Sequence, residues 1–285
     1  MYWTDRLHGS RIVERLLLRH SFVAACVVAL WESTRLSIGN SVSFEPETLV
    51  LFFGGAAYYD LHVLSYDLRE LQPAQLVKRF FPGWLLWGLV ILYFLKDCSP
   101  VFLLTTSACL LLAAGYTLPI LNAAGRGKRL REWPIVKLLV VGLAYAAMTV
   151  LVPMLDTETH PTALGLSLLF LQRTVFISCL CIPFEVRDQQ KEHNRGVVSL
   201  MDYGNRPVRY FAVCSLLFTT LSMIFGYSRS LFSGDVLIAE SVVNGITIIW
   251  VLKARASWPK WVFTYLVDGT MALPLLLIIL LRLWR

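Results

Sequence analysis

The stretch LGLSLLFLQRTVFISCLCI, Leu164 to Ile182, runs straight into Pro183-Phe184-Glu185-Val186-Arg187-Asp188-Gln189-Gln190-Lys191-Glu192-His193-Asn194-Arg195-Gly196. The first part is apolar over the ~20 residues that a membrane helix needs. The second part places Glu185, Asp188 and Glu192 at i, i+3 and i+7, which share one face of a helix. Three carboxylates at one membrane surface repel one another unless a positive group sits between them. Carboxylate oxygens suit Mg2+, which commonly bridges a few such ligands to substrate phosphates. A solvated acidic helix end is the other reading that these residues leave open.

Composition extends the same picture. Apolar residues make up 56% of the 285-residue chain and charged residues 16%, against about 25% charged in soluble domains. The mean hydropathy is +0.62. Nine apolar segments of roughly bilayer length are predicted: Ile12–Leu36, Glu47–Leu68, Phe80–Leu95, Pro100–Leu118, Ile135–Pro153, Thr162–Ile182, Arg209–Phe225, Val236–Leu252 and Val262–Leu283. The third and seventh are short for a crossing. The expected fold is all-α, a bundle of about nine transmembrane helices around a central cavity. The simplest domain reading is one domain over residues 1–285.

Charge sets the expected orientation. Lys and Arg crowd the connections after even-numbered segments, as in Lys78-Arg79, Arg126 to Arg131, and Arg187 to Arg209, whereas Asp156 to Pro161 carries none. The positive-inside rule then puts the N-terminus and both acidic stretches on the cytoplasmic side of a multi-pass membrane protein. A basic membrane face also accounts for the net charge of +7 without nucleic acid, and it draws anionic lipid and anionic substrates. The six cysteines fall in or near apolar segments, and no disulfide is expected.

Three further features carry chemistry. The second segment ends Tyr58-Tyr59-Asp60-Leu61-His62-Val63-Leu64-Ser65-Tyr66-Asp67, so Asp60 and Asp67 stand two turns apart on one face. Acids facing a bundle interior are functional candidates, though helix-end acids are also ordinary interface residues. Lys78, Arg79, Arg129 and Arg131 flank the same face; topology alone explains them, and a diphosphate clamp is the sharper reading, since Arg offers paired donors to phosphate. Arg173 lies about 18 Å up its helix from Glu185 and needs a partner, for which Glu240, Asn244 and Asp268 are candidates. Glu32 and Arg35, at i and i+3, are expected to pair with each other.

The pattern Glu185-x-x-Asp188-x-x-x-Glu192, with its internal Arg187-Asp188 pair, resembles the second acidic motif of the UbiA superfamily of intramembrane prenyltransferases. Two of the three acids are Glu here. The stretch from Tyr59 to Asp67 is similar to that superfamily's first motif, Asn-Asp-x-x-Asp-x-x-x-Asp. Asp60 and Asp67 match, Tyr59 stands for the Asn, and Val63 replaces one acid. Tyr116-x-x-Pro119 looks like the start of the family's substrate loop. The resemblance implies Mg2+ held by Asp60, Asp67, Glu185, Asp188 and Glu192, with Asp60, Asp67 and Asp188 catalytic. It implies Lys78, Arg79, Tyr116, Arg129 and Arg131 on the diphosphate of an isoprenyl diphosphate. It further implies transfer of the prenyl group to a hydrophobic or aromatic acceptor, or cyclisation of the chain by a membrane terpene cyclase. A transporter or scaffold that has lost catalysis is the reading from outside the enzyme class. Tyr58, Tyr59, Tyr66, Tyr116 and Trp87 are available to stabilise a carbocation by their ring faces.

Overall fold

The computed structural model describes residues 20–43, 45–67, 85, 87–117, 133–156, 162–194 and 197–284. Among them every regular element is helical. Helices α1 (His20–Ser37), α2 (Pro46–Asp67) and α3 (Pro100–Thr117) come first, with a further helical run over residues 87–95. They are followed by α4 (Pro134–Leu155), α5 (Ala163–Leu180), α6 (Ile182–Asn194), α7 (Asn205–Ser228), α8 (Gly234–Lys253) and α9 (Val262–Leu283).

Five spans among the described residues are long and apolar enough to cross a membrane: α4, the continuous run Ala163–Asn194, α7, α8 and α9. The protein is an integral, multi-pass membrane protein. Its surface agrees. Leu104, Leu111, Phe211, Phe218, Leu221 and Leu280 are exposed, while Arg173, Glu240, Gln172 and Asn244 are buried. An outward apolar face with a polar interior suits hydrocarbon on the outside.

Among the described residues, helices stand within the predicted segments, some with corrected ends, and parts of the first and third segments lie outside the described residues. The segment read as Arg209–Phe225 is Asn205–Ser228, 24 residues long. Gly204 turns the chain at φ +110°, a conformation glycine adopts freely, and Pro207 sits in the first turn, where no helical N–H is lost. The segment ending at Ile182 continues past Cys181 as α6, so Ala163–Asn194 totals 32 residues.

The chain divides into two compact units, residues 1–28 with 44–98 and residues 29–43 with 99–285. In the first, Gly55 of α2 lies on Ala24 and Trp87 meets Phe53 edge to face, 5.4 Å between centroids. In the second, α5 packs on α4 and α7, and α8 packs on α7 and α9. One apolar cluster joins Leu36, Val150, Leu169, Met223, Val236 and Ile278, and another joins Ile182, Val186, Leu200, Leu216 and Val251.

Polar contacts fix the helix ends of this second unit. Arg209 donates from Nη1 to the Val251 and Leu252 carbonyls and from Nη2 to the Ala254 carbonyl, covering the orphan acceptors at the end of α8. Arg282 donates to Asp235 at 2.7 Å and to the Leu36 carbonyl at 2.8 Å. Glu32 and Arg35 do pair, at 4.0 Å. All six cysteines are free thiols.

The α4–α5 contact depends on Gly142. A Cβ there would stand 2.3 Å from Ser178 Oγ and 2.6 Å from the Thr174 carbonyl oxygen. The second neighbour is backbone and cannot turn aside, so the helices must separate to admit a methyl. Gly142→Ala is therefore expected to cost about 1–3 kcal/mol, the range for overpacking. Gly245 has nothing within 4 Å of its Cβ position, and Gly245→Ala is expected to be neutral or stabilising. Thermal unfolding of both variants in detergent checks the contrast; equal melting temperatures would refute it.

Candidate active site

At about 1.5 Å per residue, the 32 residues of Ala163–Asn194 extend roughly 48 Å, against a hydrocarbon core of about 30 Å. The excess belongs to α6, whose polar residues begin at Glu185. This helix places the carboxylates beyond the apolar part of the helix rather than along it.

The three acids do not meet at one point. Glu185 and Glu192 converge on Lys137, which enters from the first turns of α4. Its Nζ lies 2.6 Å from Glu185 Oε1 and 2.8 Å from Glu192 Oε1. Ser178 Oγ donates to the Leu138 carbonyl at 3.1 Å, and this bond, with the Gly142 contact, fixes how far Lys137 reaches. Glu185 is buried. The second oxygens, Glu185 Oε2 and Glu192 Oε2, are buried with no hydrogen-bond partner among the described residues.

Asp188 turns to a different cation. Arg187 donates Nε to Asp188 Oδ1 at 3.0 Å and Nη2 to Oδ2 at 2.6 Å, the forked geometry that makes such pairs strong. Lys191 adds a contact at 3.3 Å. The Arg187 guanidinium also lies over the rings of Phe184 and Phe263, 5.0 and 5.1 Å from their centroids, held by ring quadrupoles as well as by the carboxylate. Asp268, on α9, is close enough to Arg187 to act on it electrostatically. Among the described residues no three His, Cys, Asp or Glu side chains already form a metal-sized group.

The connection after α6 is anchored to it. Gln189 Nε2 donates to Asp202 Oδ1 at 3.1 Å, and the Ser199 N–H donates to Asp202 Oδ2 at 2.9 Å. Those two donors, the backbone one first, hold the Asp202 carboxyl below the usual carboxylate range. Ser199 returns the bond within a capping box over the turn Leu200–Tyr203.

Arg173 finds its partner among the three candidates. Its Nη2 donates to Glu240 Oε1 at 3.3 Å and to Ser33 Oγ at 3.2 Å. Asn244 joins through Gln172, whose Nε2 donates to Glu240 at 2.7 Å and to Asn244 at 3.5 Å. Asp268 is on the Arg187 side instead. The Asp60, Asp67 and Tyr116 side chains lie outside the described residues, as do Lys78, Arg79, Arg129 and Arg131.

Sequence reasoning passed over Lys137 and Phe263. The one available signal for Lys137 was weak, a single charge near the start of an apolar segment, which the positive-inside pattern already explains.

No protein-family model matches the chain, and no curated protein does. A solved structure does: a digeranylgeranylglyceryl phosphate synthase in membranes, a UbiA-superfamily intramembrane prenyltransferase. The likeness covers 94% of this chain and 95% of that one, with a TM-score of 0.56 and 14% sequence identity. The chain shares the fold of that membrane enzyme. In this fold, α6 carries the acidic residues, and α4 supplies the lysine that joins two of them.

Proposed function

We propose that the protein is an integral membrane enzyme that uses an isoprenyl diphosphate, with Mg2+, and transfers the prenyl group to a hydrophobic or aromatic acceptor. The observation that carries this reading is the convergence of Glu185 and Glu192 on one cation, Lys137, with a buried oxygen on each left unpartnered among the described residues. Carboxylate oxygens of this kind are donors suited to a hard divalent ion. The shared fold supports the prenyltransferase class.

Glu185, Glu192 and Asp188 would hold Mg2+, together with Asp60 and Asp67 from α2. When bound, the ion neutralises the charge that builds on the leaving diphosphate. Arg187 orients Asp188 through its forked pair. Lys78, Arg79, Tyr116, Arg129 and Arg131 are assigned to the diphosphate oxygens. Phe184 and Phe263 already present ring faces to a cation, the chemistry an allylic carbocation needs. The acidic motifs are assigned to the cytoplasmic side. Val63, standing where the resembled motif has a third acid, favours one second reading, cyclisation of the prenyl chain without an acceptor.

The purified protein with farnesyl or geranylgeranyl diphosphate tests this. Diphosphate release with Mg2+ or Mn2+, lost in excess chelator, is the expected result. Mass spectrometry of the products, with and without an aromatic acceptor, separates transfer from cyclisation. Release that persists in chelator would remove the carboxylates from the reaction, and no release with either substrate would favour a transporter or scaffold.

A further inference from the structure

We infer that Lys137 is a displaceable counter-ion of the acidic site: its ammonium occupies Glu185 and Glu192 until a divalent ion takes them over, and it thereby sets the site's metal affinity. The inference rests on the functional reading above.

Three observations lead to it. First, one ammonium satisfies one oxygen on each carboxylate, 2.6 and 2.8 Å away, and leaves the other oxygen of each buried and unpartnered among the described residues. Two carboxylates against one ammonium leave an excess negative charge in a half-buried place, which attracts a further cation. Second, the lysine comes from another helix, 55 residues before Glu192. The Gly142 approach and the Ser178 to Leu138 bond fix its base, so the pair depends on helix packing and not on chance proximity along α6. Third, the group is lysine and not arginine. An ammonium is a compact point charge on a flexible four-carbon stem and withdraws without breaking a planar fork. Asp188, by contrast, is fixed by a forked arginine that two rings hold in place. The site thus has one fixed cation–carboxylate pair and one exchangeable cation.

The two cations compete because they use the same oxygens. Mg2+ takes ligands at about 2.0–2.1 Å in a near-octahedral shell, which an ammonium between the two carboxylates obstructs. Removing the ammonium should strengthen metal binding even where it weakens the fold.

The test uses the full chain in detergent, without substrate, and Mn2+ as the probe, its free concentration read by electron paramagnetic resonance. Lys137→Met is expected to bind Mn2+ more tightly than the unmodified protein by on the order of tenfold, a common size for coupling between two bound species. Lys137→Arg, which keeps the charge, should stay within a few-fold of the unmodified protein. Adding Glu185→Gln to Lys137→Met should abolish the gain. Lys137→Gln serves in the same comparison should the methionine variant not fold, and Mn2+ should raise the melting temperature of the neutral variant more than that of the unmodified protein. If the neutral variants bind no more tightly while Glu185→Gln alone weakens binding, the metal site stands and the counter-ion role is overturned. If no variant binds Mn2+, the metal reading itself fails and the inference falls with it.

Discussion

Alanine at Asp188 is expected to lower diphosphate release by about 10²–10³, the usual loss when one group stabilising developing charge is removed. Two effects combine. The site loses a carboxylate, and Arg187 loses the acceptor that takes both its Nε and Nη2. Its guanidinium, still against Phe184 and Phe263, is left without its forked carboxylate partner beside the proposed metal site. Lys191 is the control. It also touches Asp188, but its side chain is 68% exposed, and surface pairs of this kind contribute ~0–1 kcal/mol. Lys191→Ala should therefore leave turnover within a few-fold. The measurement is diphosphate release by each purified variant at matched folded amount. Near-normal turnover by Asp188→Ala would mean that the acidic residues of α6 take no part in the chemistry.

The second large effect belongs to stability. Glu240→Leu is expected to cost about 3–5 kcal/mol, because it leaves a buried guanidinium without its opposite charge. Arg173 and Glu240 side chains are 0% and 1% exposed, so solvent does not screen the pair. Ser33 remains as an acceptor, but a hydroxyl does not neutralise a cation. The double variant Arg173→Met with Glu240→Leu removes both charges and should cost clearly less than Glu240→Leu alone, since a buried pair is often no more stabilising than apolar residues of its size. Denaturant or thermal unfolding in detergent, compared across the three variants, decides it. A loss under ~1 kcal/mol for the single change would show that Arg173 does not depend on Glu240.

The sequence makes some of this visible and hides the rest for physical reasons. Hydrophobic length locates α4, α5, α8 and α9, because a membrane span leaves an apolar run that no soluble helix of the same composition requires. The acids of α6 stand out because three charges follow immediately on such a run. Lys137 does not stand out: as one basic residue near a helix start, it satisfies the positive-inside pattern, and its contact with Glu192 spans 55 residues. Arg173 announces the need for a partner but not which one. The choice of Glu240 over Asp268 follows from α8 packing on α5, a tertiary fact. The early start of α7 at Asn205 is hidden because its first turn is polar and contains a proline.

One feature of α9 bears on chain length rather than composition. Val262–Val267 is wound as a π-helix and Asp268–Ala272 as a 3₁₀-helix before the α-helical Leu273–Leu283. A single π turn takes up one residue more than an α turn, and one residue is worth about 100° of rotation. The last part of α9 is therefore indexed by the number of residues ahead of it, as a key is indexed by its notches. The pairing of Arg282 with Asp235 and with the Leu36 carbonyl requires that count. Losing one residue between Val262 and Val267 would swing Arg282 by about a quarter turn while leaving every side chain of the lock unchanged. This segment is in that sense freer to exchange residues than to gain or lose one.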